Sequence, residues 1–275
     1  MSGALFHIYI NVKTSNFQQM KKDTVHLANK TRWEAAADNW AAAADSRGKW
    51  KKCHEEPSIV FIDKTLEYLK GIEGKNIAVL GSGDNEVVFA LAGMGANVTS
   101  IDISQGQLDH AAKRAMQLDL EVKFVQHDVT DLQSIRNEQF DLVYTGGHVA
   151  VWVADLEKYY HEASRILKPG GLFIVEEYHP FRRVWKASAS KLEVGYDYFD
   201  KGPFKFYYND NVLYPKKGEL PSFEFHWTIS DFCTAVLKSG CNILDLYEYG
   251  NTYESWEVAP MKGLPEILTI ISRKK

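Results

Sequence analysis

From about residue 56 onward the sequence alternates short apolar runs with longer amphipathic stretches, and this rhythm constrains the fold more than any other feature. "IVFIDKTLEYL" has helical spacing, "KNIAVLG" reads as a buried strand, and "EVVFALAGMG" as a helix ending at Gly93 or Gly95. "NVTSIDIS" is a second strand, "SQGQLDHAAKRAMQL" a helix capped by Ser104, and "EVKFVQHD" a third strand. "FDLVYTGG", the helix "DLEKYYHEASRIL" and "GGLFIVEEY" continue the pattern. After a break, the helix "TISDFCTAVLKSGC" leads to two closing strands, "NILDLYEYG" and "PEILTIISRK". The reading predicts an α/β fold, a doubly wound and mostly parallel seven-stranded sheet with helices on both faces. Ligands of such sheets sit outside the carboxyl ends of the strands, where strand order reverses. That rule nominates Gly81 to Asn85, Asp102 to Ser104, Asp128 and Val129, and Thr145 to His148.

The whole chain, 1–275, reads as one domain in four parts. Residues 20–55 form a helical cap, Ala-rich over 24–47, with Trp33 and Trp40 seven apart and therefore on one helical face. Residues 56–178 form the core, and 229–275 the closing helix and strands. Between them, 179–228 carry four prolines and a dense set of aromatics, from Phe181 and Trp185 to Phe225 and Trp227. This insertion reads as a lid whose rings form an apolar pocket, with an extra β-hairpin packed on the core or on a second subunit of a homodimer as the alternative. Residues 1–20 read as a loosely attached extension, with Met20 as an alternative start.

A net charge of −4 gives no general attraction to nucleic acid or anionic lipid. The apolar stretch "ALFHIYINV" is nine residues long, too short to span a bilayer. Three cysteines without a CxxC spacing argue against a disulfide framework or a zinc site, and fit a reducing cytoplasm. No metal is expected.

The stretch "VLGSGDNEVV" begins as a dinucleotide-binding turn and departs from it. Gly81 and Gly83 are present, but the third glycine of that fingerprint is replaced by Glu86, and Asp84 and Glu86 would repel a pyrophosphate on those amides. No GK[ST] follows, which excludes a P-loop. The turn suits a ligand that approaches the backbone closely without a phosphate, and S-adenosylmethionine (SAM) has that chemistry. Asp102, 21 residues after Gly81, can accept both ribose hydroxyls. Asp128 can accept the adenine amino group, with the Val129 amide donating to the ring.

Together "VLGSGDN", "VTSIDIS", "VKFVQHDVTDL", "FDLVYTGGHVAVW" and above all "RILKPGGLFIVEE" resemble the class I SAM-dependent methyltransferases of the broad small-molecule group. The resemblance is close over about 56–180 and looser on either side. It implies that Gly81, Ser82 and Gly83 form the cofactor loop, Asp102 the ribose acid and Ile103 the residue stacked on adenine. It places Asp128 and Val129 at the adenine edge and Thr145 and Gly146 at the end of the fourth strand, with Gln107 and Trp40 also among the cofactor residues and Trp33 beside them. Two positions depart from the family pattern: Val79 stands where an acid usually precedes the loop, and Asn85 where a third glycine is usual. Expected proton acceptors beside the methyl group are His148 first and His179 second, with His226 a further lining candidate. The implied activity is in-line methyl transfer from SAM to a small, aromatic or hydrophobic acceptor. A protein or tRNA methyltransferase, and a SAM-binding regulator without catalysis, are the alternatives.

Overall fold

The computed structural model describes residues 22–83, 86–145, 147–186, 191–207, 220–250 and 261–275. Expectations for residues 1–20, Asp84, Asn85 and Gly146 lie outside these.

Five strands run parallel: β1 (Asn76–Leu80), β2 (Asn97–Asp102), β3 (Val122–Gln126), β4 (Phe140–Thr145) and β5 (Leu167–Tyr178). The hairpin strands β6 (Phe204–Phe206) and β7 (Ser222–Glu224) pair with each other, apart from the main sheet. β8 (Cys241–Tyr249) and β9 (Ile267–Lys274) complete a seven-stranded sheet of order β3-β2-β1-β4-β5-β9-β8, in which β9 is antiparallel to both neighbours. Strand order reverses between β1 and β4, so the crevice above those two strands is where the topology opens a site.

The helices are α1 (Lys22–Arg47), α2 (Asp63–Tyr68), α3 (Glu86–Gly93), α4 (Gln105–Gln117), α5 (Leu156–Ile166) and α6 (Ile229–Lys238). Three of their starts are written in side chains. Ser104 caps α4 by accepting from the Gln107 amide, Asp155 caps α5, and Thr228 with Asp231 forms a capping box on α6. Two apolar layers flank the sheet: one holds Leu80, Val143, Tyr159, Tyr160 and Phe173, the other Val79, Phe89, Leu142, Tyr144 and Ile174. β1 is buried on both faces from its second residue, which is why "NIAVL" is an unbroken apolar run.

The structure differs from the sequence reading at three places. The helix expected over "IVFIDKTLEYL" forms only at Asp63–Tyr68, after a single 3-10 turn at Pro57–Ile59. The β-branched pair Ile59 and Val60 resists helix, and Phe61 turns inward against Tyr144 with ring centroids 5.7 Å apart. β3 stops at Gln126, leaving Asp128 on the loop beyond it. β5 starts early and carries the Lys-Pro-Gly-Gly turn within it, at a register shift against β4.

In the insertion, the hairpin of β6 and β7 seats on α1, with Phe223 and Phe225 packed around Val25. Asn29 of α1 fastens it: its amide nitrogen donates to the carbonyls of Trp152 and Phe223, both at 3.0 Å, and its oxygen accepts from the Phe223 amide at 2.8 Å. Among the described residues no helix is long and apolar enough to cross a membrane.

Candidate active site

The turn after β1 is shaped by two left-handed glycines, Gly81 at φ +68° and Gly83 at φ +33°. A Cβ on Gly81 would lie 2.5 Å from Val149 Cγ1, and one on Gly83 would lie 3.0 Å from Gln107 Cβ. Ser82 points into the fold, its hydroxyl 2.6 Å from that of Ser100, so it offers the site only its backbone. At the end of β2, Asp102 accepts from the amides of Ser104, at 2.9 Å, and of Gly83. Burial pushes its pKa up to about 6, against the pull of those amides.

Beside this turn lies Gln107, 4 % exposed, with neither its amide nitrogen nor its amide oxygen hydrogen-bonded. A buried carboxamide left unpaired costs about 1–3 kcal/mol, and folds keep such groups where a ligand completes them. A donor and an acceptor together, next to an aspartate and a close-approach glycine turn, fit a ribose and amino-acid tail. The residues present therefore fit SAM.

Next to Asp102, on the loop after the neighbouring strand β3, Asp128 is held by Thr130, whose amide and hydroxyl both donate to Oδ1 at 2.8 Å, and by His26 of α1, whose Nδ1 is 2.7 Å from Oδ2. Burial opposes its ionisation, but these bonds outweigh it and hold the carboxyl below its usual range. Val129 beside it is buried, and Ile103 is half-buried. α1 also grips the start of α4, where Glu34 accepts from the Ser104 hydroxyl at 2.8 Å and the Gly106 amide at 3.1 Å. Trp40 and Trp33 meet edge to face at 5.8 Å, and Trp33 meets Trp152 at 5.3 Å, so the cap presents an aromatic wall. Thr145, fully buried at the end of β4, has its hydroxyl engaged by Tyr159 at 2.5 Å.

The loop after β4 holds His148 at φ +79°, a strained conformation for a non-glycine residue. Its ring packs against Tyr178 at 4.6 Å and Trp152 at 5.7 Å, while Arg183 Nη2 approaches Nδ1 at 2.6 Å and Nε2 at 2.8 Å. Burial, then the charge of Arg183, drive its pKa well below the usual histidine value, so the ring is neutral. His179 is differently placed. Its Nδ1 accepts from the Phe181 amide at 3.0 Å and its Nε2 faces Glu248 at 2.6 Å. With both nitrogens committed inside the fold, His179 fixes the backbone after β5 and offers no lone pair to a substrate. His226 stacks on Phe204 at 4.2 Å, near Glu224 and Tyr196.

Sequence reasoning passed over three residues here. Glu177 lies buried beneath the loop, accepting from the amides of Val149 and Ala150, and burial raises its pKa to about 8. Its signal was an acid at a strand end normally filled with apolar residues. Arg183 and His26 left no local signal, because their partners are 35 and 102 residues away.

Residues 79–175 match the profile of a family described as "Methyltransferase domain". The ubiquinone biosynthesis O-methyltransferase of Alkalilimnicola ehrlichii is 31 % identical over 147 residues, covering 54 % of this chain and 58 % of that protein. The chain thus spans little more than half the length of that relative. The protein of the same description from Klebsiella pneumoniae is 26 % identical over 207 residues, covering 75 % of this chain and 81 % of that one. Among solved structures, an S-adenosylmethionine-dependent methyltransferase from Mesorhizobium loti superposes with a TM-score of 0.59 at 22 % identity, covering 77 % of this chain and 96 % of that one, a likeness of fold.

Proposed function

We propose that this chain, a methyltransferase domain on the class I fold, transfers the methyl group of SAM to a hydroxyl of a small aromatic acceptor. The observation that carries the cofactor half is Gln107, a buried amide with both polar atoms unpaired beside Gly83 and Asp102. The relatives' description as O-methyltransferases supports an oxygen acceptor.

When bound, SAM supplies an electrophilic methyl carbon on a cationic sulfonium. The chain's residues must align the acceptor, exclude water and receive a proton. Asp102 and Gln107 hold the ribose side, with Gly81 and Gly83 admitting the tail. Asp128, Val129 and Ile103 would hold the adenine, with the aromatic wall of Trp40 and Trp33 beside them. Thr145, locked inward, keeps the floor of the crevice rigid. Tyr178, Trp152 and His148 form the acceptor wall, on which a planar ring would stack.

His148 is the proton acceptor. Arg183 can only donate, so the ring presents a lone pair toward it, and the acceptor hydroxyl takes that position when it enters. The low basicity of His148 suits a phenol better than an alkyl alcohol, since a phenolic proton is the easier to remove. The partners are small molecules, with neither nucleic acid nor membrane, in a reducing cytoplasm.

Calorimetric titration with S-adenosylhomocysteine (SAH) and with NAD tests the cofactor, and label transfer from methyl-labelled SAM to a panel of phenols tests the reaction. SAH binding and labelled phenol ethers are expected, with His148→Ala slowing transfer while SAH affinity holds. NAD binding without SAH binding would overturn the reading, and SAH binding without transfer to any acceptor would leave a regulator.

A further inference from the structure

The hydrogen bonds around Asp128 can be counted against its capacity. An ionised carboxylate offers about four lone-pair positions. Two on Oδ1 are taken by the amide and hydroxyl of Thr130. One on Oδ2 faces His26 Nδ1. The other ring nitrogen, Nε2, lies 2.9 Å from the Ala154 amide, which can only donate. Nε2 therefore keeps its lone pair, and the ring proton sits on Nδ1, pointing at Asp128. One lone pair of Oδ2 is left to face outward. His26 itself is 8 % exposed on α1, so its ring has little freedom to turn away.

We infer that His26 is a specificity-determining positioning residue of the cofactor site: by aiming its proton at Oδ2 it fixes Asp128 as a pure acceptor, which selects the amino group of adenine over the carbonyl of hypoxanthine. The inference rests on the proposal that the site holds SAM. A carboxyl that could rotate or take up a proton would donate to a carbonyl as readily as it accepts from an amine. Three donors aimed at Asp128 remove both options. Burial alone would favour the protonated form, and the bonds from His26 and Thr130 reverse that preference. Because His26 comes from the cap, base selectivity is acquired only when α1 is seated, whereas Asp102 and Gln107 belong to the core.

Two probes that differ only at the base separate this role from simple support: SAH, and S-inosylhomocysteine, in which the adenine amino group is an oxygen. Both are titrated calorimetrically into the wild type and into His26→Ala, His26→Gln and His26→Asn. The wild type is expected to prefer SAH by about a hundredfold or more, as sites built around a hydrogen-bonding group do. His26→Ala and His26→Gln should cut that ratio about tenfold, while His26→Asn, whose Nδ2 stands where Nδ1 stood, should restore most of it. Glutamine keeps the bulk and the acceptor for Ala154, so the comparison with asparagine stands even if the alanine variant does not fold. If both affinities fall together and the ratio holds in the alanine and glutamine variants, His26 is a strut and the inference is overturned. If the wild type binds neither probe, the cofactor proposal fails instead.

Discussion

Replacing Gln107 with leucine should strengthen the free protein and weaken its liganded form. The wild-type side chain is 4 % exposed and has two polar atoms without a partner. Exchanging such an amide for an apolar group of similar volume removes a penalty of about 1–3 kcal/mol. Helix propensity hardly changes, since leucine and glutamine rank close together, and the backbone amide of residue 107 keeps its bond to Ser104. At about 2–4 °C per kcal/mol for a chain of this size, the unliganded Tm should rise by several degrees. The same change deletes the donor and acceptor meant for the cofactor, so SAH should bind about tenfold to a hundredfold more weakly. Thermal unfolding with and without SAH reads both effects: the ligand-free midpoint rises and the ligand-induced increment shrinks. A lower ligand-free midpoint together with undiminished SAH affinity would refute the reasoning, because Gln107 would then be satisfied within the fold.

Three other perturbations follow from the same geometry. Gly81→Ala drives a Cβ to 2.5 Å from Val149 in a left-handed backbone, and should cost about 2 kcal/mol or more in urea unfolding while abolishing SAH binding. Arg183→Gln leaves His148 buried but removes the nearest cation, so the His148 pKa should rise and the acid limb of the kcat profile should move to higher pH; an unmoved limb would separate His148 from proton transfer. Glu177 ionises near 4.5 in an unfolded chain and near 8 in the fold. The stability it confers is complete below the lower value and is lost as pH rises toward the upper. Glu177→Gln should remove that decline, raising the unfolding free energy by a few kcal/mol at pH 8 and by little at pH 4.

The sheet was legible in the sequence because its central strands, such as β1, are buried apolar runs and several helix starts carry their own caps, as at Ser104 and Thr228. The glycine turn and Asp102 were legible for a related reason, since their roles depend on backbone shape and on position at a strand end. The stretch Ile59 to Ile62 was misread because apolar spacing alone does not separate a helix from a chain that turns inward at one ring. The acceptor side was legible least. His148 could be nominated from its place after β4, but its neutrality depends on Arg183, which the fold brings up from beyond β5. His179 ranked second to His148 in sequence, and its bonds to Phe181 and Glu248 are what distinguish a strut from a base. Asp128 was visible, while the histidine that orients it lies on a helix whose docking no local pattern encodes.

Asn29 hydrogen-bonds the β7 strand through the backbone carbonyl and amide of Phe223. An attachment that reads only main-chain groups is indifferent to which residues the strand carries. Rings of the insertion outside the Val25, Phe223 and Phe225 cluster can therefore be exchanged, by drift or by design, while this main-chain attachment to the cap is kept. A library that varies Tyr196 and Phe204, which pack on each other and on His226, while sparing Asn29, Phe223 and Phe225 would vary the insertion on a scaffold whose cofactor half stays constant.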